Sequence, residues 1–264
     1  MRILSKTQIK NTIFRTKTGR KIGRFIESAS KPLFRAVEIE TTSICNRKCA
    51  YCPVSIKQRP GGQMENKVFY KIISELKEVG FSGRIAPHFY GEPLLDKRLA
   101  SFLAYARKNL TGIFIEIYTN GDFLTYELFT KLIESGADII RVSLHDEKAY
   151  KRHQILKDRL RANGLEKRLT TLDLLKEEFL SNRAGLVLVE NPKKYVFCKL
   201  DIITINYKGE VVLCCQDYFA NYTFGNVTNE NLVDIWNKSN FKEIRDRVRS
   251  GNWPYELCRT CTGN

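Results

Sequence analysis

The chain has 264 residues, 43% of them hydrophobic, with a net charge of +15 and eight cysteines. That length suits one large α/β domain, or one domain with a small appendage. No run approaches the ~20 apolar residues of a membrane span, and no secretory segment is visible, so a cytoplasmic, reducing compartment is expected. The positive charge is concentrated at the front. Residues 1–35 carry ten Lys or Arg and one acid, Glu27. Ile9, Ile13, Ile22, Phe25 and Ile26 fit a helical face there only loosely. This arm reads first as a solvated segment packed partly on the body. Contact with an anionic membrane surface or an anionic substrate, or an organelle transit role, are the other readings. Missing aromatic interleaving and the lack of a nucleic-acid module disfavour nucleic acid.

Beyond the arm, strand-like and helix-like patterns alternate. Residues 37–41 alternate apolar and polar. Val68, Phe69, Ile72, Ile73 and Leu76 share one face of a helix over 66–79 that ends at Gly80. A strand over 84–90 stops at Gly91, and a helix period returns over 96–108. A strand over 113–119 ends at Asn120 and Gly121, followed by a helix over 125–134 that ends at Gly136. A strand over 138–143 follows. Helices are expected near 147–160 and 173–181, and strands near 167–172 and 185–190. Beyond about 190 the pattern changes. Residues 200–206 and 210–214 flank the turn pair Lys208 and Gly209, and helices are expected at 230–237 and 240–249. Repeated βα units imply a parallel sheet, open or curled into a barrel. The chain divides on this reading into an arm (1–35), a core (36–190) and a C-terminal unit (191–264).

Chemistry is expected at the carboxyl ends of the strands. Cys45, Cys49 and Cys52 form C-x3-C-x2-C directly after the first strand. Three thiolates on one tight loop can hold three irons of a 4Fe–4S cube and leave the fourth iron open to a substrate or cofactor. The competing reading is zinc, which in a closed structural site takes four ligands; no histidine or fourth cysteine lies nearby in sequence. Tyr90, Gly91, Glu92 and Pro93 follow the second strand, Thr119 and Asn120 the third, Ser143 and His145 the fourth.

With these motifs the chain resembles the radical S-adenosylmethionine (radical SAM) enzymes. The C-x3-C-x2-C loop is present, and Tyr51 fills the aromatic place before the third cysteine. Tyr90, Gly91, Glu92 and Pro93 resemble the family's Gly-Gly-Glu-Pro motif, with Tyr in place of the first Gly. The resemblance covers about residues 36–190. It implies that Gly91 and Glu92 lie against the amino group of SAM. It also implies that Thr119, Asn120 and Ser143 hold its ribose and carboxylate, with Arg152 paired to that carboxylate. Reductive cleavage of SAM to a 5′-deoxyadenosyl radical, fed by an external reductant such as flavodoxin or ferredoxin, is the implied activity. The expected fold is α/β, a partial (β/α)6 TIM-like barrel with a small C-terminal hairpin-plus-helix domain.

That C-terminal unit carries Cys198, Cys214, Cys215, Cys258 and Cys261. The run from Cys198 through Gly209 to Cys214, and the later Cys258-x2-Cys261 pair, resemble the auxiliary-cluster domains called SPASM and, in short form, Twitch. The short form fits the cysteine count. Cys198, Cys214, Cys258 and Cys261 would then ligate a second 4Fe–4S cluster, with a four-cysteine zinc site as the alternative. Cys215 is spare: a small buried residue, a ligand in place of Cys214, or a hydrogen donor. A fully ligated second cluster suits removal of an electron from a substrate radical. The expected reaction is therefore oxidation of a small polar sugar- or cyclitol-like molecule. Peptide modification, epimerisation through Cys215 and a non-enzymatic metal-binding role are the rivals. His88, Tyr90, Tyr118 and His145 are candidate groups on the substrate side, and none is singled out as a base. Glu38 and Glu40 are expected to line a barrel interior or form ion pairs.

Overall fold

A computed structural model describes residues 33–263, apart from residues 58, 177–179, 191, 194–197 and 199. The readings made for the basic arm fall outside the described residues. Phe34–Asn264 forms one compact unit around a single eight-stranded sheet of order β5-β4-β3-β2-β1-β6-β7-β8. The strands are β1 (Ala36–Ile39), β2 (Arg84–Ala86), β3 (Phe114–Thr119), β4 (Ile139–Leu144), β5 (Leu169–Asp173), β6 (Ile202–Ile205), β7 (Glu210–Val212) and β8 (Thr223–Asn226). The six from β5 to β6 are parallel, and β7 and β8 continue antiparallel. The sheet is therefore an open, partial barrel.

Four helices follow the first four strands: α1 (Asn66–Glu78), α2 (Leu99–Asn109), α3 (Tyr126–Glu134) and α4 (Glu147–Ala162). Alternation along each strand sorts its side chains onto two faces. Val37, Ile39, Ile115, Ile117, Ile140 and Val142 are buried in the main core, together with the α1 face of Val68, Phe69, Ile72, Ile73 and Leu76. The residues between them carry charge. Arg84 reaches Glu38 at 3.2 Å and Glu116 at 3.5 Å, and Arg141 reaches Glu116 at 2.8 Å. Thr204 donates to Glu38 at 3.2 Å. Burial raises the Glu38 pKa, and Arg84 opposes the shift. This ladder satisfies the charges that four neighbouring strands place on one face.

Two expected elements are absent and one is displaced. Residues 185–190 form no strand. Arg183, Ala184 and Gly185 all take positive φ, of 49°, 54° and 87°, which no strand tolerates. Among the described residues of 173–181 there is no helix: Asp173 closes β5, and 174–176 turn. The sixth parallel strand is β6, taken from beyond residue 190, where Ile202, Ile203, Thr204 and Ile205 pair with the free edge of β1. The C-terminal hairpin thus extends the barrel sheet. Helices α5 (Leu232–Asn237), α6 (Ser239–Arg249) and α7 (Glu256–Thr262) complete the described chain. No helix among the described residues is long and apolar enough to cross a membrane.

Candidate active site

A cavity of about 290 Å³ opens at the carboxyl ends of β1 to β5. The cysteine loop forms one wall. Its base is tied down by Ser43 N donating to the Gly62 carbonyl at 2.9 Å and by a bridge between Thr42 and Gln63. The residues between the first two cysteines latch the loop to other strand ends. Asn46 donates to Asp122 at 2.8 Å. Arg47 places two nitrogens on Asp122, each at 2.6 Å, and a third on Asp146 at 2.7 Å. Asp146 is also the N-cap of α4, accepting from Ala149 N at 2.6 Å. These bidentate contacts hold Asp122 below the usual carboxylate range despite partial burial. Arg47 was not among the residues singled out from sequence. Its place inside the C-x3-C spacing was the available signal.

Cys45, Cys49 and Cys52 all line the cavity. Burial, with Glu92 and the other two thiols adding, pushes Cys45 up to about 11. Burial raises Cys49 as well, so bare Cys45 and Cys49 hold their protons at neutral pH, and loading iron must release them. Among the described residues no three Cys, His, Asp or Glu converge tightly enough to hold a single metal ion. A cube asks for less, because each thiolate meets a different iron.

Gly91 lies so close to the cysteine loop that a Cβ would collide with the Thr42 carbonyl. This contact lets Glu92 N donate to the Ile44 carbonyl at 2.8 Å. The Glu92 carboxylate is buried and accepts from Thr119 Oγ1 at 2.6 Å, Asn120 N at 2.8 Å and Leu94 N at 3.0 Å. Burial raises its pKa, and these donors oppose the shift. The last of them caps a short 3-10 turn, Pro93–Leu95. Glu92 thus caps a helix and also welds the end of β2 to that of β3. About four acceptor positions exist on a carboxylate, so roughly one remains for a cation.

Tyr51, Gly91, Glu92, Thr119, Asn120 and Ser143 all line this cavity. Arg152 does not; it pairs with Asp122 on a half-exposed side chain. The cavity's arginines are Arg47 and Arg183 instead. Arg183 comes from the irregular segment after β5, where no periodicity could have pointed to it. His145 meets the Tyr51 hydroxyl at 2.5 Å and Cys49 Sγ at 3.7 Å. Burial and Arg47 lower its pKa to about 4. His88 is lowered to about 4 by burial, then by Arg183 and Arg84. Both rings are neutral at physiological pH.

The second cysteine group lies in reach of the same wall. Cys258 and Cys261 sit one turn apart on α7. Cys198 and Cys258 act electrostatically on both Cys214 and Cys261. Burial drives Cys214 well above its ordinary value. Cys215 also feels Cys198 and Cys261, so both adjacent thiols border the group. Cys215 alone among the eight is solvent-exposed, and Glu38 and Arg183 are among its charged neighbours.

A family model described as the radical SAM superfamily matches residues 39–194, and one described as an iron–sulfur cluster-binding domain, SPASM, matches residues 197–262. The chain is 32% identical over 237 residues to the S-adenosyl-L-methionine-dependent 2-deoxy-scyllo-inosamine dehydrogenase of Niallia circulans, covering 87% of this chain and 93% of that protein. The fold is similar to the crystal structure of BtrN in complex with AdoMet and 2-DOIA, with a TM-score of 0.80 and 31% identity over 88% of this chain and 94% of that one. A likeness of fold alone extends to anSMEcpe with bound AdoMet, with a TM-score of 0.57 and 13% identity over 86% and 88% of the two chains.

Proposed function

The chain belongs to the radical SAM superfamily, and we propose that within it this enzyme oxidises a secondary hydroxyl of a small cyclitol or amino-sugar-like molecule to a ketone. It is an oxidoreductase whose cofactors are SAM and 4Fe–4S clusters. Together, when bound, they supply reductive cleavage of SAM to a 5′-deoxyadenosyl radical that takes a hydrogen atom from the substrate. The protein's part is to hold, orient and shield.

Cys45, Cys49 and Cys52 hold the first cluster on this reading. Tyr51, Gly91, Glu92, Thr119, Asn120 and Ser143 shape the SAM pocket beside it. The free acceptor position on Glu92 suits an ammonium group. Arg152, tied to Asp122 outside the cavity lining, is dropped from the set. Cys198, Cys214, Cys258 and Cys261 hold the second cluster, and an external one-electron donor reduces the first. The unit boundary falls near residue 190, although β6 from beyond it completes the parallel sheet. Leu172, Leu174 and Leu180 line the cavity among its polar groups and help keep water from the reacting carbon.

The observation that carries the oxidation is the cavity's position between the two cysteine groups. The first group lines it directly. Tyr90, in its wall, donates its hydroxyl to the carbonyl of Cys215, next to Cys214, at 3.0 Å. An electron leaving a substrate radical here has an acceptor close behind the wall. Similarity to a cyclitol dehydrogenase along nearly the whole chain supports the same reading. The test is anaerobic reconstitution, then incubation with SAM, reductant and a panel of aminocyclitols and amino sugars. About eight irons per chain, 5′-deoxyadenosine and a ketone are expected. Formation of 5′-deoxyadenosine with no ketone from any member of the panel overturns the substrate class. The exposed thiol of Cys215 supports one rival, epimerisation, which would leave solvent hydrogen on the product carbon.

A further inference from the structure

Two buried tyrosines, one from each region, cross between the cysteine groups. Tyr90, next to Gly91 and Glu92, donates its hydroxyl to the Cys215 carbonyl at 3.0 Å. Tyr218, three residues beyond Cys215, donates to the Lys57 carbonyl at 2.8 Å and accepts from Arg59 N at 3.2 Å. Each phenol therefore bonds the backbone of the other region. The rings meet edge to face with centroids 4.7 Å apart and planes at 80°. With Val54, Phe89 and Val212 they form a small core on which Cys45 and Cys52 pack. Val212, on β7, is two residues before Cys214. The Arg59 guanidinium covers the pair, 4.7 Å from the Tyr218 ring and 5.7 Å from that of Tyr90. Arg59 is itself held by buried Glu40, which also accepts from Tyr90 N at 3.2 Å.

A buried phenol must find an acceptor, and local carbonyls would serve. Here both hydroxyls reach across instead, and the acceptors lie near the cysteines: Cys215 follows Cys214, and Lys57 lies five residues past Cys52. We propose that Tyr90 and Tyr218 form a reciprocal clasp that fixes the separation of the two cysteine groups and so couples hydrogen removal in the cavity to electron uptake behind its wall. The inference rests on the oxidation proposed above. After the carbon-bound hydrogen atom has left, one electron and one proton must still depart. The O–H bond breaks and C=O forms; an iron–sulfur group held by the C-terminal cysteines would supply the acceptor for the electron, and the proton passes to water. A looser wall slows that electron and gives the substrate radical time to be quenched.

Holoenzyme carrying Tyr218→Phe or Tyr90→Phe tests the clasp. Each substitution keeps the ring and deletes one crossing bond. The first readout is the magnetic interaction between the two reduced clusters by electron paramagnetic resonance, and the second is 5′-deoxyadenosine formed per ketone. Both variants are expected to keep about eight irons and to show a weakened or more dispersed inter-cluster interaction. The 5′-deoxyadenosine-to-ketone ratio should rise about fivefold, the equivalent of one ordinary hydrogen bond. Tyr218 does not itself line the cavity, so its change should leave SAM cleavage intact. Parent-like spectra and ratios in both variants overturn the clasp. If the parent oxidises none of the panel, the proposed function fails, while the spectra still decide the clasp.

Discussion

Cys45, Cys49 and Cys52 share one loop, whereas Cys198, Cys214 and the Cys258–Cys261 pair come from three separate segments beyond β5. Ordering the first group costs little chain entropy, because its loop is short and is latched through Asn46, Arg47 and Gly91 to strand ends already in place. The second group assembles only when β6, β7 and α7 have all docked, and its Cys258 is part of the main core. The first is a local device on a rigid edge. The second is a product of the whole C-terminal fold, so it suits a role that depends on distance from the first.

Substitutions separate the two most sharply at the cysteines. Cys45→Ala should abolish 5′-deoxyadenosine formation and lower iron from about eight to about four per chain while the fold survives. Cys258→Ala should leave SAM cleavage running but remove ketone formation and lower the urea midpoint. Equal loss of SAM cleavage in both variants would erase the distinction. Glu92→Gln comes next. It weakens charge-assisted bonds to Thr119 and Asn120 and the place left for an ammonium, which should raise KM for SAM about 10- to 100-fold. An unchanged KM would remove Glu92 from the SAM pocket.

Smaller effects probe the latch. Asp122→Asn should speed iron loss from the first group several-fold without touching the second, which selective bleaching of the first cluster's signal would reveal. Arg152→Ala, removing a half-exposed partner of the same carboxylate, should change stability by no more than about 0.5 kcal/mol and leave KM for SAM alone. A large rise in KM would return Arg152 to the pocket. A separate effect lies in pH dependence. Folded His88 stays neutral down to about 4, whereas it protonates near 6.5 when unfolded. The unfolded chain therefore binds more protons between those values, and stability falls as pH drops from 6.5 to 4. Urea midpoints of His88→Gln should fall less steeply over that window than those of the parent.

Much of this was legible in the sequence because strand ends and cysteine spacings are local signals. The helix face of Val68, Phe69, Ile72, Ile73 and Leu76 and the strand end at Gly121 each stand in a few consecutive residues. What escaped was nonlocal. Nothing in Ile202, Ile203, Thr204 and Ile205 says that they will pair with β1 rather than form a separate hairpin. Residues 185–190 read as strand, yet positive φ at Arg183, Ala184 and Gly185 turns the chain where that strand would begin, and Arg183 lines the cavity. The helix alone did not show that Arg152 pairs with Asp122, thirty residues earlier. Tyr218 carried no signal apart from its neighbours; its role appears only once its ring is seen on Tyr90.

The central claim is that a hydrogen atom leaves a carbinol carbon in the cavity and the remaining electron leaves through its wall. Turnover with an aminocyclitol deuterated at that carbon tests it directly. One deuterium in each 5′-deoxyadenosine and about one ketone per 5′-deoxyadenosine are expected. Deuterium-free 5′-deoxyadenosine, or an epimer carrying solvent hydrogen in place of the ketone, would contradict it.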